Sequence, residues 1–362
     1  MIERLFASFL LIFLIFPHLS CAQNHQRQSL DLKDKIYRVG VISDMNGSYG
    51  SKKYHPSVRK AVDYLADPAN EIDFIISTGD MVAGQKSNLD YKGMWRAFHR
   101  NVTEPLIQAG VPVFPSPGNH DAYRTRKTER QHYRDFWESL NIPPQGSGLS
   151  FIQGVQQNYP FQYAFRVGPA LFISIDNTDV RPWTEATLQW LEQVLLKEKA
   201  TPIKVVYGHV PLIPFAFKKE TEYFAKGSKG FLNDIQNLFT DYKVDFFLTG
   251  HSHVYYPGRR DAYTRYTSVP LLGGGPRYLI QQKLGERSQR GFLVLEFNRQ
   301  GPLKVEHRLA ENHQVIPDEN FPLDLRLPSA NTKLCKGCQK FPKTHFLDSQ
   351  KRILYRRQDQ AF

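Results

Sequence analysis

Short apolar runs alternate with longer segments of mixed apolar and polar residues along most of the chain. The short runs predict strands at Tyr37–Ser43, Asp73–Thr78, Val111–Phe114, Ile203–Tyr207 and Val244–Thr249. The longer segments predict helices at Ser57–Ala66, Tyr91–Gln108, Glu129–Leu140, Thr184–Lys197 and Lys229–Tyr242. From Tyr263 onward the pattern changes to strands and glycine turns. Strands that alternate with helices predict an α/β layered fold.

A short polar run follows each predicted strand. The five runs are Asp44-Met45-Asn46, Gly79-Asp80, Gly118-Asn119-His120-Asp121, Gly208-His209 and Gly250-His251-Ser252-His253. Ligands of open α/β sheets collect beyond the carboxyl ends of the strands, where loops converge. The sequence therefore predicts that the five runs form one shared site.

The side chains in these runs are of the kinds that bind metal. Carboxylate oxygens come from Asp44 and Asp80, an amide oxygen from Asn119, and imidazole nitrogens from His209, His251 and His253. Such a mixed set suits Mn, Fe or Zn. Six ligands are too many for one ion with open positions, but they suit two ions bridged by a carboxylate. Two metals about 3.5–4 Å apart can hold a bridging hydroxide and clamp a phosphoryl group during displacement.

The order of these motifs resembles that of the calcineurin-like metallophosphoesterase superfamily, from about Tyr37 to Phe297. Gly118-Asn119-His120-Asp121 and Gly250-His251-Ser252-His253 together make the resemblance specific. The run Gly273-Gly274-Gly275 is similar to purple-acid-phosphatase-like branches. The resemblance implies a four-layer α/β/β/α sandwich of two mixed β-sheets flanked by helices.

The resemblance also implies a role for each motif residue. The first metal would be bound by Asp44, Asp80 and His253, with Asn46 as a further candidate ligand. The second would be bound by Asn119, His209 and His251, with Asp80 bridging the two. His120 would protonate the leaving oxygen as general acid, and Asp121 would orient the ring of His120.

Asn46 departs from the family pattern, which has histidine at this position. Purple acid phosphatases also lack that histidine, but they have a tyrosine three positions after their Gly-Asp, where this chain has Ala83. Tyr49 is the nearby residue that could approach the site instead. We therefore expect a weakened first metal site that favours harder ions, Mn or Fe, over Zn.

The function implied is an exported, binuclear metal-dependent phosphoesterase that hydrolyses a phosphomonoester through a metal-bridged hydroxide. A phosphodiesterase or nucleotidase of the same superfamily is the first alternative. A catalytically silent metal-binding surface protein is the second, because of Asn46. The substrate would be a phosphorylated small molecule. Among the basic residues that follow His120-Asp121, Arg124 is the best candidate for binding its phosphate.

The first 22 residues are typical of a signal peptide. Arg4 precedes a mainly apolar stretch at Leu5–Phe16, which is shorter than the roughly 20 residues that span a bilayer. Either cleavage before Gln23 or lipidation of Cys21 is compatible with the residues that follow. We expect an exported protein, periplasmic or membrane-anchored on the periplasmic or extracellular side. Residues 23–34 form a predicted linker, 35–310 the catalytic domain and 311–362 a basic extension.

The net charge of +12 is concentrated in the extension. Lys333–Arg357 holds eight Lys or Arg and one Asp, a net of +7, so the other residues carry only +5. This segment could bind anionic lipid, alone or together with a lipidated Cys21, or it could be a solvated extension. It lacks the interleaved aromatic residues of a nucleic-acid reader, so no specific nucleic acid is expected. In an exported protein Cys335 and Cys338 would form a disulfide.

Overall fold

The computed structural model describes residues 35–140, 149–178, 184–212, 215–216, 229–261, 264–279, 288–318, 321, 325–326 and 352–353. The predicted signal peptide and linker, Cys21 and the Cys335–Cys338 pair lie outside these residues. The same is true of Lys333–Arg357 apart from residues 352–353. The description below concerns the unit that begins at Ile36.

Five strands coincide with the predicted apolar runs, and further strands follow Tyr263 as expected. The strands at Leu149–Phe151, Tyr163–Val167, Ala170–Ser174 and Tyr256–Asp261 were not predicted. In chain order the described strands are β1 (Tyr37–Ile42), β2 (Phe74–Ser77), β3 (Val113–Pro115), β4 (Leu149–Phe151), β5 (Tyr163–Val167), β6 (Ala170–Ser174), β7 (Ile203–Gly208), β8 (Phe246–Thr249), β9 (Tyr256–Asp261), β10 (Thr264–Ser268), β11 (Gly291–Asn298), β12 (Gly301–Leu309), β13 (Val315–Ile316), β14 (Leu325–Arg326) and β15 (Arg352–Ile353).

Most of these strands form two mixed sheets. The first has the order β13-β12-β11-β1-β2-β3, in which β1, β2 and β3 are parallel and β11 is antiparallel to β1. The second has the order β4-β5-β6-β7-β8-β10-β9, in which β6, β7, β8 and β10 are parallel. Strands β14 and β15 pair with each other.

The helices lie close to their predicted ranges. They are α1 (Pro56–Ala66), α2 (Tyr91–Phe98), α3 (Glu104–Gln108), α4 (Lys127–Glu138), α5 (Glu185–Lys197) and α6 (Lys229–Asp241). The single helix predicted at Tyr91–Gln108 is divided, because a π-helical segment at His99–Thr103 separates α2 from α3. Pro105 lies in the first turn of α3 and has no N–H to continue the α-helical hydrogen bonding.

Buried side chains hold the layers together. Between the two sheets, the Phe74 ring meets Phe172 edge-on, and Phe114 stacks on Phe165 with 3.9 Å between ring centroids. On the outer face of the first sheet, α1, α2 and α4 bury residues such as Val62, Trp95 and Tyr133. Helices α5 and α6 cover the second sheet with Leu191, Leu195, Ile235 and Phe239. The predicted four-layer α/β/β/α sandwich is confirmed.

The first sheet continues past residue 310. Strand β13 pairs with β12 at His307 and Ile316. Asp318 then accepts hydrogen bonds from the Arg265 guanidinium at 2.8 Å and from the Tyr255 hydroxyl at 3.0 Å. The domain therefore extends at least to Asp318, beyond the boundary predicted at residue 310. No helix among the described residues is long and apolar enough to cross a membrane.

Candidate metal centre

The five polar runs meet at the carboxyl ends of parallel strands from both sheets. Asp44 follows β1, Asp80 follows β2 and Asn119 follows β3, all in the first sheet. His209 follows β7, and His251 and His253 follow β8, in the second sheet. One ligand atom of Asp44, one of Asp80 and one of His209 lie within 4.8 Å of one another. The shared site that the strand ends predict is thus present in the fold.

Four of the site residues have a left-handed backbone. The φ angles of Asp44, Asp80, His251 and His253 are 47°, 59°, 63° and 56°. This conformation costs a non-glycine residue roughly 1–3 kcal/mol and persists only where the surroundings hold it. The N–H of Asp44 donates to the Gly79 carbonyl at 3.0 Å, and the N–H of His251 donates to the Asp44 carboxylate. The turns that carry the ligands therefore hold one another in place.

Two motif glycines allow these turns to approach closely. A Cβ at Gly118 would lie 2.1 Å from the backbone nitrogen of Asp80. A Cβ at Gly250 would lie 2.1 Å from Ser43 Oγ and 2.7 Å from Asp44 Oδ2. Backbone atoms and buried carboxylates cannot move aside for a methyl group. Glycine is therefore required at both positions for steric reasons.

A tight cluster forms around the amide oxygen of Asn119. His209 Nε2 and His251 Nδ1 each lie 2.8 Å from Asn119 Oδ1. These two ring nitrogens are 3.2 Å apart, and His209 Nε2 is 3.3 Å from Asp80 Oδ1. The predicted ligands of the second metal thus face one common point.

A second group forms around Asp44. His253 Nε2 lies 3.3 Å from Asp44 Oδ1. Asp44 Oδ2 accepts hydrogen bonds from the Ser43 hydroxyl at 2.6 Å and from the His251 N–H at 3.0 Å. Because Asp44 also lies next to Asp80 and His209, the two groups are adjacent.

Backbone carbonyls fix which ring nitrogen of two histidines faces the site. His209 Nδ1 donates to the Thr78 carbonyl at 2.8 Å, and His253 Nδ1 donates to the Gly275 carbonyl at 3.1 Å. The Nε2 atoms of both rings then face the carboxylates. Hydrogen bonds of this kind commonly orient metal-binding imidazoles.

Carboxylates and imidazoles of opposite charge face each other in the buried site. Burial acts to raise the pKa of Asp44, but the facing His253 outweighs it and the pKa is lowered. Asp80 behaves in the same way, with His209 and His120 lowering its pKa despite burial. Burial acts to lower the pKa of His209, yet Asp80 and Asp44 raise it to about 9. In the absence of metal, both carboxylates are ionised and a proton on His209 offsets part of their charge.

The residues fit a bound cation. Asp80 Oδ2 is buried and has no hydrogen-bond partner among the described residues. His209 Nε2 and His251 Nδ1 also converge on one amide oxygen and lie only 3.2 Å apart, an arrangement that a single ion bound to all three atoms would use. A metal ion satisfies a buried carboxylate oxygen and two converging imidazole nitrogens together.

His120 lies at the exposed edge of the cluster. Its N–H donates to Asp80 Oδ1 at 2.8 Å, and its ring Nε2 lies 3.9 Å from Asp80 Oδ2. The side chain is 26% exposed, whereas that of Asp80 is 1% exposed. Tyr49 packs against the imidazole with ring centroids 5.5 Å apart. Tyr49 therefore does approach the site, although it contacts His120.

A family model for calcineurin-like phosphoesterases matches residues 37–255, which is more than half of the chain. The chain belongs to the calcineurin-like phosphoesterase family. The resemblance carried by the ordered motifs is thereby confirmed. The matched range contains all the predicted ligand positions of this calcineurin-like phosphoesterase domain.

Known relatives include plant and animal phosphatases. The chain is 24% identical to phosphoenolpyruvate phosphatase of Allium cepa, over 69% of this chain and 47% of that protein. It is 26% identical to acid phosphatase type 7 of Homo sapiens, over 41% of this chain and 33% of that protein. It is 24% identical to probable inactive purple acid phosphatase 27 of Arabidopsis thaliana, over 62% of this chain and 36% of that protein. The chain spans less than half the length of each of these relatives.

Solved structures share the fold. Purple acid phosphatase PPD1 from yellow lupin (Lupinus luteus) has a TM-score of 0.54 and 18% identity, covering 78% of this chain and 53% of that one. GAP50, the anchor in the inner membrane complex of Plasmodium, has a TM-score of 0.51 and 18% identity, covering 78% and 87%. Together with the relatives, the lupin structure confirms the resemblance to purple-acid-phosphatase-like branches.

In this calcineurin-like phosphoesterase, Asp121 does not have the contact predicted for it. Its two carboxylate oxygens accept hydrogen bonds from the Gly118 N–H at 2.6 Å and the Met81 N–H at 2.7 Å. His120 Nδ1 is buried and has no hydrogen-bond partner within the described part of the chain. The expectation that Asp121 orients the His120 ring is therefore wrong for this structure. Asp121 is instead bound to the backbone of the turns that carry the ligands.

Asn46 is placed beside the metal centre and on the wall of a cavity. Its N–H donates to the Asp80 carbonyl at 3.0 Å, and its carbonyl accepts from the Gly274 N–H at 2.9 Å. The residue is only 5% exposed and lines a cavity of about 580 Å³. The described residues offer no hydrogen-bond partner to its side-chain amide. A role for Asn46 as metal ligand stays a prediction.

Arg124 is exposed and makes no hydrogen bond or ion pair with the described residues. The arginines on the following helix, α4, already have partners. Arg130 pairs with Asp176 at 2.6 Å, and Arg134 lies over the Phe161 ring. Arg124 is therefore the arginine of this segment that is open to a ligand. Its role in substrate binding stays a prediction.

Sequence reasoning missed a network that supports Asn119. Gln85 Nε2 donates to the Asn119 carbonyl at 2.7 Å, and the Gln85 N–H donates to Glu129 Oε1 at 2.7 Å. Glu129 is 2% exposed, and burial raises its pKa. It shares the buried face of α4 with Tyr133 and Trp137, at a spacing of four residues. That spacing is the signal that could have identified Glu129 as a buried residue.

Proposed function

We propose that this protein is a binuclear metal-dependent phosphoesterase that hydrolyses phosphomonoesters. The observation that carries the proposal is the position of Asp80. One of its oxygens lies 3.3 Å from His209 Nε2, and the other is buried and unpartnered within the described residues. An oxygen of Asp44 is also within 4.8 Å of the same group. A carboxylate placed between two sets of ligands is suited to bridge two ions.

The ligand sets divide around Asp80. Asp44, Asp80 and His253 would hold one ion, and Asp80, Asn119, His209 and His251 the other. Bound ions would supply Lewis acidity that polarises the phosphoryl oxygens and makes water nucleophilic near neutral pH. Asp44, Asp80 and His209 are shielded from bulk water, because they are at most 1% exposed.

His120 is the group best placed to protonate a leaving oxygen. Its ring reaches the surface at the edge of the metal centre, and its Nε2 lies on the same side as Asp80 Oδ2. A proton held on Nε2 would pass to the alcohol oxygen as the phosphoester bond breaks. A positioned acid of this kind accelerates reactions about 10²–10⁴-fold. Asp121 supports this step indirectly, by holding the turn that carries His120.

We propose monoesters rather than diesters as substrates, because similar proteins are named as phosphatases. A phosphodiesterase or nucleotidase would use the same ligands with a different leaving group. A silent metal-binding surface protein is the other candidate, which the departure at Asn46 favours. Because an amide oxygen is a harder and weaker donor than imidazole, we propose Mn or Fe at the Asp44 site.

We also propose that the protein is exported. The support is the sequence of the first 22 residues, and either Cys21 or the basic extension would bind it to a membrane. Cell fractionation of the tagged full chain, with and without Cys21→Ser, measures both features. Export requires the tag in the periplasmic or membrane fraction. If both forms stay in the cytosol, this part of the proposal fails.

The test of activity uses p-nitrophenyl phosphate and bis-p-nitrophenyl phosphate with added Mn. We expect the monoester to be hydrolysed faster, and His120→Ala to lower kcat at least about 100-fold. His132→Ala is the matched control, because His132 lies on α4, stacked on Tyr91 and outside the cluster. Faster turnover of the diester would favour the phosphodiesterase. If neither ester reacts and His120→Ala changes nothing, the protein is not this enzyme.

A further inference from the structure

The cavity beside Asn46 adjoins the Asp44 half of the metal centre. It has a volume of about 580 Å³, and its lining includes Ser48, Lys53, His55 and the three consecutive glycines at Gly273–Gly275. Its lining contains no carboxylate among the residues that the structure describes. The volume is in the range that small-molecule sites occupy.

A single glycine separates this cavity from a predicted metal ligand. A Cβ built on Gly274 would lie 3.2 Å from His253 Cε1, and the Gly275 carbonyl accepts from His253 Nδ1. The opposite edge of that ring faces Asp44. Arg290 holds the glycines by donating to the Gly273 and Gly274 carbonyls at 2.8 and 2.7 Å. A group bound in the cavity is therefore close to the reacting phosphate but outside the ligand cluster.

The burial of Asn46 in the cavity wall suggests that the cavity has a ligand. The residue is 95% buried, since only 5% of its surface is exposed, and it lines the wall. Its amide has no hydrogen-bond partner among the described residues. The amide of this nearly buried residue is therefore available to a group bound in the cavity.

The charge of the residues that line the cavity indicates whether its ligand is an anion or a cation. The ammonium of Lys53 has no ion pair or hydrogen bond in the described structure, whereas that of the adjacent Lys52 pairs with Asp90 at 2.6 Å. Helix α1 begins at Pro56, also on the wall, and its N-terminus carries a partial positive charge. These features favour an anion.

We propose that this pocket binds a second anionic group, a carboxylate or a phosphate, on the alcohol part of the substrate. The inference rests on the proposed phosphoesterase function. Lys53 provides the charge, and the Asn46 amide donates to an oxygen of the anion. The preferred substrates are then small phosphomonoesters that carry another acidic group.

The experiment compares three small esters with the metal-loaded full chain. Glycerol 3-phosphate has no second anion, 3-phosphoglycerate has a carboxylate and propane-1,3-diol bisphosphate has a second phosphate. We expect kcat/KM to be higher for the two anionic esters. Lys53→Gln should lower it about tenfold for those esters and leave glycerol 3-phosphate nearly unchanged. The ratio between the two anionic esters shows which anion is preferred.

Lys52→Gln is the matched control, since Lys52 is adjacent but outside the lining. It should leave all three values unchanged. Equal kcat/KM for the three esters in the wild type, or an equal loss for all three in Lys53→Gln, overturns the pocket. Calorimetric binding of the same esters gives a second measurement that does not depend on turnover. If none is hydrolysed, yet 3-phosphoglycerate binds more tightly than glycerol 3-phosphate and Lys53→Gln removes the difference, the pocket stands and the enzyme proposal fails.

Discussion

The backbone N–H of His120 donates to Asp80 Oδ1 at 2.8 Å, so one carboxylate orients both a metal ligand turn and the residue proposed as acid. The other oxygen of Asp80 has no partner in the described structure. Both functions therefore depend on the side chain of Asp80, although His120 and Asp80 are 40 residues apart. This relationship separates what Asp80 does for the fold from what it does for a metal ion.

Asp80→Asn tests that separation. An asparagine keeps an oxygen to accept from the His120 N–H, but it lacks the negative charge that a bridging ligand needs. We expect metal affinity to fall on the order of 100-fold or more, while the His120 N–H keeps its acceptor. Metal content after dialysis, measured by mass spectrometry, gives the result. Full metal content in Asp80→Asn would contradict the assignment.

Gln85→Ala tests the support of Asn119. Removing the side chain deletes the 2.7 Å hydrogen bond to the Asn119 carbonyl. Losses at residues that orient metal ligands typically reduce metal affinity or activity 10–100-fold, so we expect about a tenfold drop in kcat/KM. Gln131→Ala is the control, because Gln131 lies on the exposed side of α4 and, within the described part of the chain, its side chain bonds to Asp135 alone. An equal effect of the two variants would show that Gln85 has no such role.

Tyr49→Ala and Tyr49→Phe test the contact with His120. The ring of Tyr49 packs on the imidazole, whereas the one contact of its hydroxyl with the described residues is a long hydrogen bond of 3.4 Å to Gln85. Aromatic pairs are worth about 0.5–1.5 kcal/mol, so Tyr49→Ala should lower kcat a few-fold to tenfold. Tyr49→Phe keeps the ring and should retain nearly full activity. If Phe is as harmful as Ala, the hydroxyl is the part that matters.

Metal binding should release a proton below pH 9. In the absence of metal the pKa of His209 is raised to about 9, since Asp80 and Asp44 outweigh the effect of burial. A metal ion must displace that proton, so apparent affinity should rise by up to about tenfold per pH unit until pH 9. Calorimetry of Mn binding in two buffers of different ionisation enthalpy measures the proton count. Affinity independent of pH between 6 and 9 would exclude a protonated His209.

Acid should destabilise the fold through His307. Burial lowers its pKa to about 3 from an ordinary 6.5, and neither ring nitrogen has a hydrogen-bond partner among the described residues. The neutral ring therefore keeps the fold stable above pH 6.5, and stability is lost as the pH falls from 6.5 towards 3. The loss should approach about 1.4 kcal/mol per pH unit.

His307→Phe removes this titration and keeps a ring against Tyr255, which lies 4.0 Å away between centroids. Urea unfolding at pH 7 and pH 4.5 should show a smaller loss of stability in this variant than in the wild type. His132→Phe, on the partly exposed side of α4, serves as the control. The control should lose as much stability as the wild type. The prediction fails if His307→Phe also loses that much.

The sequence predicted those parts of the site whose position follows from the residues next to them in sequence. Apolar runs placed Asp80 and His209 at strand ends, and parallel strands brought those ends together. The bond from Gln85 to Asn119 could not be predicted, because it joins two loops that are 34 residues apart in sequence, and Gln85 is held by a buried Glu129 on a separate helix. Asp121 was misassigned for a similar reason, since its backbone partners belong partly to another turn, at Met81. The cavity beside Asn46 depends on Gly274, more than 200 positions away.

The ligand cluster draws on both sheets, and this has a consequence for biosynthesis. Asp44, Asp80 and Asn119 are made first, but the cluster lacks two of its imidazoles until His251 and His253 have been translated. Strands β11, β12 and β13 then complete the first sheet from the C-terminal side. A nascent chain therefore does not have the complete ligand cluster before the second sheet has formed. If the cluster binds metal as proposed, its last ligands become available only late in folding.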